Sequence, residues 1–378
     1  MKSAFRGDTH LGRTIHGHDI SEDIEKVMYR FWQFCEEHDV TCAVHLGDLF
    51  DSPKPTLRQQ TMALKWCNHF ERSCRRLFII TGNHEGIANA QTPTACEIIK
   101  QVPYDWVKLI DRPYYDRNTL PAAGILFLPF PSPGISPNAL HWHHNIEMHM
   151  QGNRGEPYFV ASHLNVDGAR LGRQDWVYRG GDYLVPTAIE DDERCQLIVN
   201  GHIHKKQHVK KVFMPGSALP LNFGEADHQA QFTIVSGSGS HLMIENFPID
   251  TLSFRNYDLD VSAFTNGSAL TTAQAVAVAR SLSIEGVFVR VKPAVDVESH
   301  VEWHRVAEAL YGNGARHVVI DSPIRVGHEA AQKVQDQSVG DPIKAAKIFV
   351  KGRIPDAKRQ ADVLDRFLQA KTEVEADA

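Results

Sequence analysis

Apolar, strand-like runs in this chain stop repeatedly at a residue of the kind that binds metal. Residues 41–46 run into Gly47-Asp48, 77–80 into Gly82-Asn83-His84, 158–161 into Ser162-His163, and 196–199 into Gly201-His202-Ile203-His204. In α/β sheets, ligand sites collect in the loops just beyond strand ends. Strand ends that each deliver a carboxylate, an amide or an imidazole therefore predict one rim on which those side chains meet.

The segments between these strands read as amphipathic helices. One is predicted over 19–38, with Ile24, Val27, Met28, Phe31 and Cys35 on one face. A second begins after Pro55 and is expected to run to Arg76, with Met62, Trp66, Cys67 and Phe70 on its buried side. The alternation predicts a layered α/β domain with a sheet in the middle, closed by a β-rich stretch at 232–235 and 242–244. We place this domain at 1–256. A small α/β module follows at 257–325, read as helix 271–282, strand 287–291, helix 300–310 and strand 317–320. The polar stretch at 327–341 marks a linker, 326–354. In the tail, 355–378, Ala357, Ala361, Leu364 and Leu368 recur at helical spacing.

A chain of 378 residues, 42% of them hydrophobic, is long for one domain and able to bury a large core. Its formal charge of -6 supplies no global attraction to nucleic acid. DNA, if bound, must be held by metal ions, a local basic patch or a basic partner. The first residues lack the apolar core of a secretory signal, and no run reaches the length of a membrane span, so a cytoplasmic chain with no membrane association is expected. The six cysteines form no CxxC pair and read as buried free thiols.

Five motifs follow in order: Asp8-Thr9-His10, Gly47-Asp48-Leu49-Phe50-Asp51, Gly82-Asn83-His84-Glu85, Ser162-His163 and Gly201-His202-Ile203-His204. Each alone is weak, whereas the ordered set is specific. Phosphodiester hydrolysis by two metals needs oxygen and imidazole ligands, a shared carboxylate and open positions for water and substrate. The glycines before Asp48, Asn83 and His202 suit tight turns with unusual φ. On these motifs the chain resembles the calcineurin-like metallophosphoesterases. On Asp8-Thr9-His10-Leu11-Gly12, Met214-Pro215-Gly216-Ser217 and Asn222-Phe223-Gly224-Glu225 it is similar, within them, to the SbcD-type DNA exonuclease subunits, counterparts of the meiotic-recombination nuclease.

The resemblance implies a layered α/β/β/α metallophosphoesterase core with a small α/β cap and a C-terminal helical tail. It implies one metal ion on Asp8, His10, Asp48 and His204 and another on Asp48, Asn83, His163 and His202, with Asp48 shared. It favours Mn²⁺, with Zn²⁺, Fe²⁺ or Mg²⁺ as alternatives. His84 is then the non-ligand, placed to aid departure of the 3′-oxygen, with Asp51 orienting it, while Glu85 is expected to make loop hydrogen bonds. The function implied is a Mn²⁺-dependent nuclease, a 3′–5′ exonuclease on duplex DNA and an endonuclease on single strands or hairpins. Its implied partner is an SbcC-type SMC-like ATPase, in a heterotetramer containing a homodimer of this chain. The alternatives are a phosphodiesterase or phosphatase acting on small nucleotides or phosphoproteins, and a non-catalytic scaffold.

Other polar clusters are less specific. Arg170, Arg173 and Arg179, with Trp176 and Tyr178, read as contacts for DNA phosphates and a frayed base, or as an ordinary surface loop. Lys205, Lys206, Lys210 and Lys211 read as further phosphate contacts or as a solvated hairpin. His16 and His18 are placed beside the substrate groove or in a plain polar loop. His141, His143, His144 and His149 scatter over several faces of a helix and read as solvated rather than as a second metal site.

Overall fold

In the computed structural model, the described residues are 2–73, 76–86, 95–101, 105–117, 124–131, 146–148, 155–172, 176–181, 183–237, 242–260, 271–295, 301–321 and 324–325. The chain divides into two compact units, 1–256 with 286–289, and 257–285 with 290–378. The linker 326–354, the tail 355–378, Arg173 and the histidines at 141, 143, 144 and 149 lie outside the described residues.

The larger unit contains two six-stranded sheets rather than a single central one. The first runs in the order Met243–Pro248, Gln231–Ser236, Lys2–Arg6, Cys42–His45, Arg76–Ile80, Val107–Ile110. The second runs Gln207–Val209, Val212–Met214, Cys195–Asn200, Tyr158–Ser162, Gly124–Leu128, Tyr114–Asp116. Parallel pairing of Lys2–Arg6 with Cys42–His45, and of Cys42–His45 with Arg76–Ile80, brings the first three motif-bearing strands side by side. Parallel pairing of Tyr158–Ser162 with Cys195–Asn200 does the same for the last two. The sheets face one another. Phe5, Val44 and Phe78 from the first share a core with Phe127, Phe159 and Val199 from the second, and the Phe78 and Phe127 rings stack 4.6 Å apart. Two facing sheets are what the α/β/β/α layering implied by the resemblance calls for; the residue pattern alone suggests one, because period and strand order show which runs are strands but not which pair with which.

Two helices pack on the first sheet, with the Phe31 ring against Phe232 and the Trp66 ring against His45. Ser21–Glu37 buries Ile24, Val27, Met28, Phe31 and Cys35. Leu57–His69 begins in a capping box, with Thr56 accepting from the Gln59 N–H and the Gln59 side chain returning to the Thr56 N–H. This helix is shorter than expected: the chain tightens into a 3₁₀ turn at Phe70–Ser73, and Arg76, expected to end the helix, begins a strand. Arg76 pairs with Cys42, and sheet pairing outweighs the helical period of the preceding residues.

Arg6, at the end of the first strand, is fully buried, with its guanidinium 5.9 Å from the centres of both the Phe31 and Phe232 rings. Five of the cysteines are buried free thiols, and the sixth, Cys74, is outside the described residues.

In the smaller unit, the helix Thr272–Ser281 starts in a second capping box, Thr271 with Gln274, and buries Ala275 and Ala279. The helix Trp303–Gly312 buries Val306 and Leu310. The Arg290 Nε–H is shared between the two carboxylate oxygens of Asp321, at 3.0 and 3.1 Å. Among the described residues, no helix is long and apolar enough to cross a membrane.

Candidate metal centre

The motif loops are bound to each other before any side chain acts. Main-chain N–H groups of Asp8, His10 and Leu11 donate to the carbonyls of Gly47, Asp48 and Leu49 at 3.0, 2.9 and 2.8 Å. Asn200, for which the sequence offered no role, ties the other two loops: its Oδ1 accepts from the Ser162 hydroxyl and Leu164 N–H, and its Nδ2 donates to the Leu164 and Gly201 carbonyls. Glu85, fully buried, joins the loops of motifs two and three by accepting from Phe50 N–H at 3.0 Å and Gly82 N–H at 2.6 Å. Burial and then the nearby Asp48 charge push its carboxyl up to about 7.

The backbone of this rim is unusual. Asp8, His10, Asp48 and His202 have φ of 53°, 49°, 52° and 68°, in the left-handed region that Asp and His enter more readily than most residues. Of the three motif glycines, only Gly47 has a positive φ, +101°. Gly82 is required for a different reason: a Cβ there would collide with the Asp48 carboxylate, as one at Gly47 would with the His163 ring. The unusual φ expected of the glycines falls largely on the ligand-type residues themselves, Asp48 and His202, because their side chains must leave the turn toward a common point.

Each histidine of the cluster has one ring nitrogen engaged from outside and the other facing inward. His163 Nδ1 donates to the Leu46 carbonyl at 2.6 Å, leaving Nε2 3.1 Å from Asn83 Oδ1 and 3.4 Å from Asp48 Oδ2. His202 Nε2 meets Asn165 Oδ1 at 2.9 Å, and its Nδ1 lies 2.9 Å from Asn83 Oδ1. His10 Nδ1 meets Asp51 Oδ1 at 3.1 Å, and His204 Nδ1 meets Glu225 Oε1 at 3.0 Å. Their Nε2 atoms are 3.2 Å apart. With both outer nitrogens donating, these inner nitrogens bring two lone pairs together, an arrangement that a cation relieves.

The carboxylates complete the set. Asp48 Oδ1 accepts from the His84 N–H at 3.0 Å, while Oδ2 stands between His10 Nε2, at 3.6 Å, and His163 Nε2. Asp8 Oδ1 accepts from the His202 N–H at 2.9 Å, and Asp8 Oδ2 is buried with no hydrogen-bond partner among the described residues. A buried carboxylate oxygen without a donor is costly unless an ion meets it. Three overlapping trios have donor atoms within 4.8 Å of one another: Asp8, His10 and His204; His10, Asp48 and His84; Asp8, Asp48 and His163. Mixed imidazole, carboxylate and amide donors suit a divalent ion, and these residues fit one.

Burial pushes the Asp8 carboxyl up, against the opposing charges of His163 and His204. At Asp48, burial also pushes upward, but His163 outweighs it and holds the carboxyl well below the usual range. His202 is driven down to about 3 by burial and then by His163. Neutral imidazole is the form that binds metal.

His84 sits at the mouth. Its ring meets that of His10 edge-on, 4.6 Å between centres, and its Nδ1 donates to the main-chain carbonyl of Asp51 at 3.1 Å. The Asp51 carboxylate is 3.8 Å from that nitrogen, and hydrogen-bonds His10 and Arg13 instead. The orientation of His84 thus comes from the Asp51 backbone, and the Asp51 side chain orients His10. Sequence reasoning gave no role to Asn165 or to the Glu225 side chain. Their only signals are closeness to His163 in the chain and membership of the Asn222–Glu225 motif.

The other candidates divide. Arg170, on the strand Arg170–Leu171 that pairs antiparallel with Trp176–Val177, lines a cavity with Lys205, Lys206, His202 and His204, and Trp176 is 70% exposed. Arg179 pairs with Asp167 at 3.4 Å. Lys210 pairs with Glu190, and Lys211 donates to the Asp192 carbonyl. His16 and His18 lie 5.5 and 5.9 Å, ring to ring, from Phe223 and Phe288.

Two facing sheets whose strand ends gather an Asp, His and Asn cluster define a metal-dependent phosphoester hydrolase. Residues 1–206 match the calcineurin-like phosphoesterase family, and the chain belongs to it. Among curated relatives, it is 23% identical over 258 residues to the SbcD component of the SbcCD nuclease of Bacillus subtilis, covering 62% of this chain and 66% of that one. It is 35% identical over 85 residues to the DNA double-strand break repair protein Mre11 of Methanosarcina acetivorans, covering 22% and 14%. The matches thus span less than two thirds of either relative. Among solved structures, a dimetal phosphatase from Danio rerio aligns with TM-score 0.43 at 10% identity, over 66% of this chain and 97% of that one. An archaeal phosphodiesterase aligns with TM-score 0.32 at 12% identity, over 65% and 100%.

Proposed function

We propose that this chain is the nuclease subunit of an SbcD-type complex, hydrolysing phosphodiester bonds in DNA with two divalent ions, for which the resemblance favours Mn²⁺ over Zn²⁺, Fe²⁺ or Mg²⁺. The observation that carries this reading is the position of Asp48 Oδ2, 3.6 Å from His10 Nε2 on one side and 3.4 Å from His163 Nε2 on the other. One ion is assigned to Asp8, His10, Asp48 and His204, and the other to Asp48, Asn83, His163 and His202. When bound, such ions supply Lewis-acid polarisation of the phosphoryl group and an acidified water.

The chain's own residues do the rest. Asp51, Glu225, Leu46 and Asn165 fix the imidazoles, and the Asp48 loop is pinned by Glu85. His84 donates its Nδ1–H to the Asp51 carbonyl, so it is the imidazolium form, with a second N–H on Nε2, that gives a proton to the departing 3′-oxygen and is left as the neutral ring. Duplex ends, single strands and hairpins are the proposed substrates, in double-strand break repair or recombination.

The similarity to the Bacillus SbcCD nuclease supports an SbcC-type ATPase as partner, with two copies of this chain in the assembly. The apolar stripe of Ala357, Ala361, Leu364 and Leu368 is the proposed docking element. Removing 355–378 is expected to leave metal binding intact and to weaken co-elution with the ATPase; undiminished co-elution at low concentration would reject the tail as the docking element.

The primary test is digestion of a blunt, end-labelled duplex with Mn²⁺, Mg²⁺, Zn²⁺ or Fe²⁺ and with a chelator. Release of mononucleotides dependent on Mn²⁺ is expected. Turnover of a small chromogenic phosphodiester with no cleavage of any DNA substrate would overturn the nuclease assignment in favour of a small-substrate phosphodiesterase.

A further inference from the structure

Thr9 stands between two ligand-type residues, Asp8 and His10, whose φ of 53° and 49° both lie in the left-handed region. The N–H groups of those two residues, bound to the Gly47 and Asp48 carbonyls, hold the ends of this turn. Its centre is held by a side chain. Thr9 is fully buried, with its Oγ1 3.0 Å from the Leu49 carbonyl oxygen, 3.3 Å from that of Asp48 and 3.0 Å from His45 Nε2. A carbonyl can only accept, so the hydroxyl hydrogen is spent on one of the two, and His45 Nε2–H donates to the Thr9 oxygen.

His45 is itself a fully buried imidazole, and it is not one of the ligand-type residues. It ends the strand Cys42–His45, paired in register with Arg6 at the end of the first strand. Its ring meets that of Trp66 edge-on, 5.8 Å between centres, and the Trp66 indole N–H donates to the Met28 carbonyl at 2.8 Å. The ring is thus set against both helices, Ser21–Glu37 and Leu57–His69, at the point where it reaches Thr9. Burial and then the Arg6 charge push the imidazole well below its usual range, which keeps it as the neutral ring with its hydrogen on Nε2. Left-handed conformations at residues other than glycine persist only where the surroundings over-determine them. Without the His45 donor, Thr9 is no longer tied to the helix-packed side of the sheet, and the Asp8 carboxylate and the His10 ring lose their common anchor.

We propose that His45 is a positioning residue for the metal centre. Through Thr9 it sets the directions in which Asp8 and His10 leave their turn, and so the affinity of the ion assigned to those two. It touches neither an ion nor the substrate. The proposal rests on that ion assignment and deepens it, because it makes one ion of the pair depend on a bond behind the sheet.

The test is titration of the metal-free full chain with Mn²⁺, followed by calorimetry and electron paramagnetic resonance, so the outcome is independent of whether the chain cleaves DNA. His45→Phe and Thr9→Val each remove the bond while keeping the side chain's bulk. His45→Gln places an amide N–H near the position of Nε2, and Thr9→Ser keeps the hydroxyl. His45→Phe and Thr9→Val are each expected to weaken one of the two ions about tenfold and to leave the other within about twofold, with Gln and Ser close to the parent. The double variant His45→Phe/Thr9→Val is expected to lose no more than the weaker single one, because the same bond is broken in all three. Parent-like binding in His45→Phe, equal weakening of both ions, or additive losses in the double variant would overturn the role of His45. If His45→Phe does not fold, the Thr9 pair decides: Val weakened at one ion with Ser parent-like supports the role, and Val and Ser alike overturns it. A parent chain that takes up fewer than two ions overturns the two-ion reading itself, and this proposal with it.

Discussion

Glu225 Oε1 lies 3.0 Å from His204 Nδ1 and so fixes which nitrogen of that ring faces the metal cluster. Burial pushes the Glu225 carboxyl up, but the hydrogen bond and the charge of His204 outweigh it and hold it below the usual range. Glu225 also accepts from the Leu221 N–H at 2.9 Å, so the ring is tied to a loop that is itself held. Partners of this kind, standing behind a metal-binding histidine, typically carry about 10–100-fold of metal affinity.

Glu225→Ala is therefore expected to weaken Mn²⁺ binding by about 10–100-fold, while Glu225→Gln, which retains an acceptor for His204 Nδ1, keeps most of it. Titration of the metal-free chain with Mn²⁺ separates the two. Equal affinity for both variants and the parent would mean that His204 needs no support.

Asp48→Ala should reduce phosphodiester hydrolysis to background and lower the ion content, because Asp48 Oδ2 faces both halves of the cluster. Elemental analysis alongside an assay on a chromogenic phosphodiester checks this. Parent-like turnover in the variant would remove the shared-carboxylate assignment.

His84→Gln is expected to keep both ions and to cut about 10²–10⁴-fold more slowly, the usual contribution of a positioned proton donor. His84 also belongs to a trio with His10 and Asp48 whose donor atoms approach within 4.8 Å, so the geometry admits a second role. Loss of one ion per chain in this variant would make His84 a ligand.

Asp192 offers a pH test away from the cluster. Its carboxylate is held at about 2, first by the Arg194 side chain, which donates to both oxygens at 3.0 and 2.7 Å, then by the Arg194 N–H at 3.0 Å, with Tyr158 adding a fourth bond at 3.0 Å. A folded-state value below the unfolded value of about 3.9 means stability that is present above that value and lost as pH falls toward 2. Urea unfolding of parent and Asp192→Asn should therefore differ most at about pH 5–6, with the gap shrinking by about pH 3. A gap constant with pH would show that the charge of Asp192 contributes nothing.

The ligand-type residues were legible in the sequence because each sits where an apolar strand run ends, and strand ends are where α/β sheets place their sites. The helices were legible from their period, and the faces that period marks as apolar are the ones buried. The amino-acid sequence by itself thus determined which residues could form the rim, and that Asp48, Asn83, His163 and His202 would come from different strands. Its periodicity did not determine that the strands form two sheets, since pairing is a choice among distant segments; only the family resemblance carried that layering. Nor did it determine the ring orientations. Asp51 lies 41 residues from His10, and Glu225 lies 21 from His204. Which nitrogen of an imidazole faces inward depends on which oxygen stands behind it, and only the packing of loops from both sheets decides that.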